Sequence, residues 1–285
     1  MNVWALVALV IIVGGIALSA WRRIYFTIVA SVTCVIVFAL QQVTYPNDYV
    51  AFMPHDLTDP ERIYTVLTSM YAHLPERLDH LLFNVLGLAL IGLLFEQRIG
   101  TRPFILLYLL SGLVGTLAFA AYHWNGPPYA VLGASGAISG VLGGFARLYP
   151  NERLSFIFFP GYPMRAIYVV FFFVAIQLVF VTGADFNVAW QSHLGGLAAG
   201  VLLAPLVVRI KTDRSVKARV SVLALRKLAV TPELQGILRR IEAEEVPDVR
   251  RAWVGHFMSK AKCPTCGAPV KITGDSVRCN KGHIL

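Results

Sequence analysis

The sequence predicts an all-α polytopic membrane protein: seven spans, the last six forming one compact bundle, followed by a small cytoplasmic tail with metal-ligand spacing. Three observations carry this. Of 285 residues, 56% are hydrophobic and only 14% charged, whereas soluble domains carry about a quarter charged residues. Apolar runs of spanning length occur at 3–20, 24–42, 78–95, 103–122, 134–149, 165–184 and 190–210. Lys and Arg also cluster on alternate connections: Arg22 and Arg23, Arg98 and Arg102, Arg147, Arg153 and Arg165, then Arg209, Lys211 and Arg214, while 123–133 and 182–189 hold none. The basic side is cytoplasmic by the positive-inside rule, which places the N-terminus outside.

The first span ends in ALSA (17–20), which resembles a signal-peptidase site. No basic residue precedes it and two follow it, the reverse of a signal peptide's charge order. It is read as a retained extra helix, residues 1–23. The third span opens DHLLFNVLG, with His80 and Asn84 four residues apart and so on one helical face. The fifth, opening GASGAISG, is short: about sixteen residues, roughly 24 Å of helix. The loop before it must therefore dip below the outer surface, where irregular backbone survives only against protein or a water-filled cavity. The seventh opens WQSHLGGLAAG.

Polar and ionisable groups in a bilayer are functional candidates by default. In this topology the third, fifth and seventh spans all start outside, so His80, Asn84, Ser135 and His193 lie within about 10 Å of the outer helix ends. Alone, each has an ordinary explanation: a membrane histidine bonding a neighbouring helix, or a Ser-Gly packing contact. Their agreement in depth, from three helices, favours chemistry. A serine hydroxyl is a poor nucleophile until a base takes its proton, and His193 can be that base. Acyl transfer also needs donors for the oxyanion. The Ser135 backbone N–H, His80 and Asn84 can supply them. Small residues explain the reach, since Gly196 and Gly200 share a face with His193, and Ser139 and Gly143 share one with Ser135.

These residues resemble the rhomboid family of intramembrane serine proteases. GASG (133–136) is similar to its Gly-x-Ser-Gly motif, HLLFN (80–84) to its His-x-x-x-Asn, and SHLGG (192–196) to its motif with the catalytic histidine. LTSMYAHLPERLDHLLFN (67–84), with His73, resembles the approach to that helix. Glu96, Arg98 and Gly100 resemble its Glu-x-Arg-x-Gly turn. The likeness covers residues 57–208. It implies a rhomboid-like six-helix core over 24–210, with Ser135 as nucleophile, His193 as base, His80 and Asn84 serving the oxyanion, and no catalytic cofactor. It also implies transmembrane protein substrates, cut near the outer end of a helix. The sixth span, with Phe171, Phe172, Phe173 and Phe180, would border the lateral entry route or simply face lipid. Glu96 is expected to pair with Arg98, and Asp185 to be solvated. The chain departs from the family pattern at Ser139, where an aromatic residue often backs the histidine, and at Ser192, usually alanine. It also lacks the Trp-Arg pair of the first loop. Tyr45, Tyr49, Phe52 and Met53 there read as an interfacial segment.

Residues 1–208 hold nine basic and nine acidic side chains, so the tail supplies the whole net charge of +9. A basic cytoplasmic tail is drawn to anionic lipid headgroups, and nothing in it points to nucleic acid. Residues 211–260 read as a basic, amphipathic helical linker, with Thr231-Pro232-Glu233 as a helix start. Residues 261–285 read as a zinc-ribbon-like module. Cys263, Cys266, Cys279 and His283 have knuckle spacing, and a reducing compartment favours metal over disulfides. A closed four-ligand set implies structural zinc. Cys34 is a small apolar residue.

Three other functions compete. A non-catalytic client-binding rhomboid relative would be expected to lack Ser135 or His193. A transporter would need polar groups continuing across the bilayer. A metalloprotease would need a His-Glu-x-x-His motif, which is absent. The expectation is an intramembrane serine endopeptidase in a plasma membrane, since no Arg- and Ser-rich presequence precedes the first span.

Overall fold

The computed structural model describes residues 2–22, 24–44, 49–156, 159–182, 188–209, 222–244, 247–273 and 276–283. Arg23, Tyr45, Asp185, Lys211 and Arg214 lie outside them. The chain divides into two compact units, Met1–Ile210 and Lys211–Leu285.

Each predicted span is a helix: α1 (Val3–Arg22), α2 (Phe26–Val43), α3 (Leu78–Ile99), α4 (Thr101–His123), α5 (Ser135–Leu148), α6 (Ala166–Thr182) and α7 (Trp190–Val207). Five of these are long and apolar enough to cross a membrane by themselves: α1, α2, α3, α4 and α7. The chain is a multi-pass membrane protein. At 14 residues, α5 is about 21 Å long, so its ends cannot both reach the bilayer surfaces. Strands β1 (Arg153–Phe156) and β2 (Phe159–Arg165) form an antiparallel hairpin between α5 and α6.

With almost no water-driven contrast between lipid tails and apolar side chains, helices in a bilayer associate through close backbone packing. That is how α4, α5 and α7 form the centre. A Cβ at Gly196 would stand 2.0 Å from the Gly136 carbonyl oxygen, and one at Gly200 only 1.8 Å from that of Gly140. Gly143 meets the Leu197 carbonyl in the same way. The face of α5 that meets α7 is therefore Gly136–Gly140–Gly143, not the Ser135–Ser139–Gly143 face expected from the sequence. On the other side, Ser111 of α4 packs against Gly140, and Ser192 of α7 sits against both Gly115 and Gly136. A residue larger than serine at 192 would part three helices. The extra helix α1 packs on α2, with Gly15 against Thr33 and Val29.

The turn between α3 and α4 corrects one expectation. Glu96 does not pair with Arg98, because residues two apart on a helix do not face each other. Glu96 is fully buried and caps α2 instead, accepting from the backbone N–H of Phe26 (2.7 Å) and Thr27 (2.8 Å) and from the Thr27 hydroxyl (2.8 Å). Its charge faces the positive end of that helix, whose N-cap, Tyr25, offers no side-chain acceptor. Arg98 pairs with both carboxylate oxygens of Glu152 at 3.1 and 3.2 Å and stacks on Tyr149. Gly100 takes φ 89°, a turn conformation that any Cβ would disfavour.

The first loop is packed on protein. Phe52 is fully buried with Phe119 and Ala120, and its backbone bridges Val131 in the segment before Ser135 (3.1 and 2.8 Å). Tyr49 is buried as well. Asp56 ties this loop together, taking the Arg62 guanidinium at 2.7 Å and the Thr65 hydroxyl at 2.9 Å.

The second unit contains α8 (Val222–Leu228), α9 (Pro232–Ala243), α10 (Pro247–Lys260) and a hairpin of β3 (Val270–Thr273) and β4 (Ser276–Cys279). Thr231 caps α9 through its side chain (3.2 Å to the Leu234 N–H), as the Thr-Pro-Glu start predicts. Leu225, Leu228, Ile237, Ile241 and Phe257 share one apolar cluster with Val270, Val277, Cys263 and Cys279. The helical stretch and the hairpin thus fold around a common core.

Candidate active site

Ser135 is the first residue of α5, where the opening N–H groups of a helix have no intrahelical acceptor. Its Oγ lies 2.7 Å from His193 Nε2 on α7. The glycine contacts just described bring these helices close enough for that bond. The residue before the pair of small side chains has its own constraint. Gly133 adopts φ 123°, and a Cβ there would stand 2.9 Å from His80 Nε2 and 3.7 Å from Ser135 Oγ. Its N–H is held by the Ser69 carbonyl at 2.8 Å. Only glycine fits this backbone, and its missing side chain leaves His80 and Ser135 facing a common point.

His80 of α3 has Nδ1 toward the Leu74 N–H at 3.5 Å and Nε2 toward Gly133. Asn84, one turn on, is buried. Its Nδ2 donates to the His80 carbonyl at 2.7 Å, while Oδ1 has no partner among the described residues. His73 is fully buried behind them, its ring 5.2 Å from that of His80. Gln41 of α2 clamps the His73 backbone from both sides, at 2.9 and 3.0 Å. Ser135, His193 and His80 therefore gather around the start of α5, with Asn84 one turn along α3 from His80.

Two features were not predicted. Gln177 of α6 is 3% exposed, and its Oε1 lies 2.9 Å from His193 Nδ1. Phe173, one turn earlier on α6, has its ring 6.2 Å from the His193 ring. The only signal available was a lone amide in an otherwise apolar span. Ser139, at the position where an aromatic residue is common, donates its hydroxyl to the Ser135 carbonyl at 2.7 Å. Phe171 and Phe172 are exposed on the outer face of α6.

In the second unit, Cys263, Cys266, Cys279 and His283 bring their ligand atoms within 4.8 Å of one another. Cys266 Sγ is 3.7 Å from Cys279 Sγ, and His283 Nδ1 is 3.3 Å from Cys279 Sγ and 3.7 Å from Cys263 Sγ. Gly267 and Gly282, at φ 69° and 89°, turn the two knuckles. Desolvation works against a Cys263 thiolate, but N–H bonds from Thr265 and Cys266 and contacts to the Cys266 and His283 side chains outweigh it. They bring the thiol down to about 6, and a thiolate is the form a metal binds. The group could hold a metal ion.

The chain is similar to known proteins. The chain is 30% identical over 167 residues to rhomboid protease GluP of Bacillus subtilis, covering 59% of this chain and 30% of that protein. It is 31% identical over 137 residues to the putative rhomboid protease YdcA of the same organism, covering 47% and 63%. It is 29% identical over 144 residues to rhomboid-like protease 3 of Toxoplasma gondii, covering 50% and 51%. The chain thus spans less than two thirds of each of these relatives. A Rhomboid domain model matches residues 60–210, a stretch that contains His80, Asn84, Ser135 and His193 and more than half of the sequence. By that match and by its helical architecture, the chain belongs to the rhomboid family.

Proposed function

We propose that the protein is an intramembrane serine endopeptidase that cuts transmembrane segments of other membrane proteins near their outer end. The observation that carries this is the 2.7 Å contact between Ser135 Oγ and His193 Nε2, a nucleophile and base within proton-transfer distance at a helix N-terminus. Ser135 Oγ attacks the scissile carbonyl as His193 Nε2 takes its proton. The Ser135 N–H, His80 and Asn84 serve the oxyanion. His80 Nδ1 faces an N–H donor, which leaves Nε2 as the protonated nitrogen, directed toward Gly133. His193 then gives its proton to the leaving amine. Water enters, loses a proton to His193 and releases the acyl group from Ser135, restoring both residues. No cofactor takes part in this sequence.

Residues 24–210 would form the protease core and α1 the added helix, with the N-terminus outside and the tail on the cytoplasmic side of a plasma membrane. The tail would bind structural zinc. Tetrahedral bonds of about 2.3 Å to sulfur and 2.0 Å to nitrogen separate two sulfurs by about 3.8 Å, and sulfur from nitrogen by about 3.5 Å. The observed 3.7, 3.7 and 3.3 Å fit that geometry. Four protein ligands leave no open position for catalysis. The basic tail would also contact anionic headgroups.

The test is cleavage of a labelled single-pass substrate by the purified protein and by Ser135→Ala, with fluorophosphonate labelling in parallel. The wild type should cut near the outer helix end and label at Ser135, and the variant should do neither. Cleavage that survives in the variant removes Ser135 from the role. A wild type that neither cuts nor labels refutes the protease reading.

A further inference from the structure

We propose that Gln177 is a positioning residue for the Ser135–His193 pair, accepting the Nδ1 proton of His193 and holding the imidazole in the tautomer that leaves Nε2 free to take the serine proton. The inference rests on the protease reading above and deepens it.

A neutral imidazole carries one proton, on either nitrogen. If it sits on Nε2, the ring donates to Ser135 Oγ and cannot act as a base. If it sits on Nδ1, the lone pair on Nε2 points at the hydroxyl across 2.7 Å. What faces Nδ1 therefore decides whether the pair is competent. That neighbour is the carbonyl oxygen Oε1 of Gln177 at 2.9 Å, an acceptor with no proton to give. The amide turned the other way would donate to Nδ1 and favour the wrong tautomer. Gln177 is 3% exposed, so little water competes for the same proton.

A second observation points the same way. Phe173 and Gln177 are four residues apart and share one face of α6, and both reach His193, the ring as a wall and the amide as an acceptor. This pair does what an aromatic residue at position 139 would otherwise help to do. Ser139 instead turns its hydroxyl back to the Ser135 carbonyl. No residue within a turn of Gln177 or His193 on α6 or α7 is titratable apart from His193 itself. His80 on α3 is the titratable group that acts on His193 from another element.

The experiment measures kcat, KM, pH–rate profile and fluorophosphonate labelling rate for wild type, Gln177→Leu and Gln177→Glu. Leucine removes the acceptor and keeps the volume. It should lower kcat and labelling about tenfold, the weight of one hydrogen bond, with KM little changed. Glutamate keeps an acceptor and adds charge that stabilises the imidazolium. It should preserve kcat at high pH and move the acid limb of the profile up by about one pH unit. Gln177→Leu at wild-type kcat and labelling rate overturns the proposal. So does an unmoved acid limb in Gln177→Glu, which decides the matter even if the leucine variant does not fold. A wild type that fails to label at Ser135 brings down the protease reading itself, and the positioning role with it.

Discussion

Substituting Gly196 by alanine asks whether backbone packing between α5 and α7 builds the catalytic pair. The new methyl carbon would stand 2.0 Å from the Gly136 carbonyl oxygen, while ordinary contact begins near 3.4 Å. The obstruction is backbone on both sides, so no side chain can turn away. The two helices must part locally by about 1.4 Å, because packed interiors hold no slack of that size. Gly136 adjoins Ser135 and Gly196 lies one turn from His193, so the 2.7 Å bond would stretch to about 4 Å, beyond hydrogen-bond range. A displacement of about 1 Å in a reacting pair lowers rate by about 100-fold. Overpacking destabilises by about 1–3 kcal/mol, partly offset by the roughly 1 kcal/mol better helix propensity of alanine. The control is Gly236→Ala in α9, where a Cβ meets nothing within 4 Å; it should stabilise the tail and leave cleavage unchanged. The assay is substrate cleavage in detergent or bicelles, beside thermal unfolding. A Gly196→Ala protein that stays folded and cleaves within twofold of wild type would refute the claim that this contact positions the pair.

Two further outcomes follow from the structure. Glu96→Ala leaves the Phe26 and Thr27 N–H groups and the Thr27 hydroxyl without their acceptor at a buried helix start; it should destabilise the core by about 3 kcal/mol, with Glu96→Gln losing less. Thermal unfolding reads this, and an unchanged midpoint in Glu96→Ala contradicts the capping role. Metal analysis of the full-length chain should find about one zinc per molecule, lost on chelation or in Cys279→Ser. The loss should raise amide hydrogen exchange across α9, α10 and the hairpin, whose core includes Cys263 and Cys279. Purified protein without metal, and exchange indifferent to chelator, would set the zinc reading aside.

What the sequence disclosed and what it hid divide along a physical line. Seven helices were legible because the apolar runs are separated by charged or Gly- and Pro-rich connections, even where the fifth run is short. The candidate site was legible because four costly polar groups share one depth, an accident hydropathy does not require. Rotation about each helix axis was not legible. The small residues of α5 form two usable faces, and only packing shows that Gly136, Gly140 and Gly143 meet α7 while Ser139 bonds its own helix. Gln177 was hidden for the same reason: its meaning depends on how α6 is turned toward α7, and α6 is apolar all round, so no polar stripe fixes its orientation in advance. Glu96 shows the opposite error. A charged neighbour two residues away looked like its partner, though helical geometry separates them, and its true partners lie about seventy residues back, at the start of α2. A buried carboxylate at the end of one span is better read as an acceptor for whichever helix begins beside it, because uncapped buried N–H groups need one, while the arginine nearby has its own partner in Glu152.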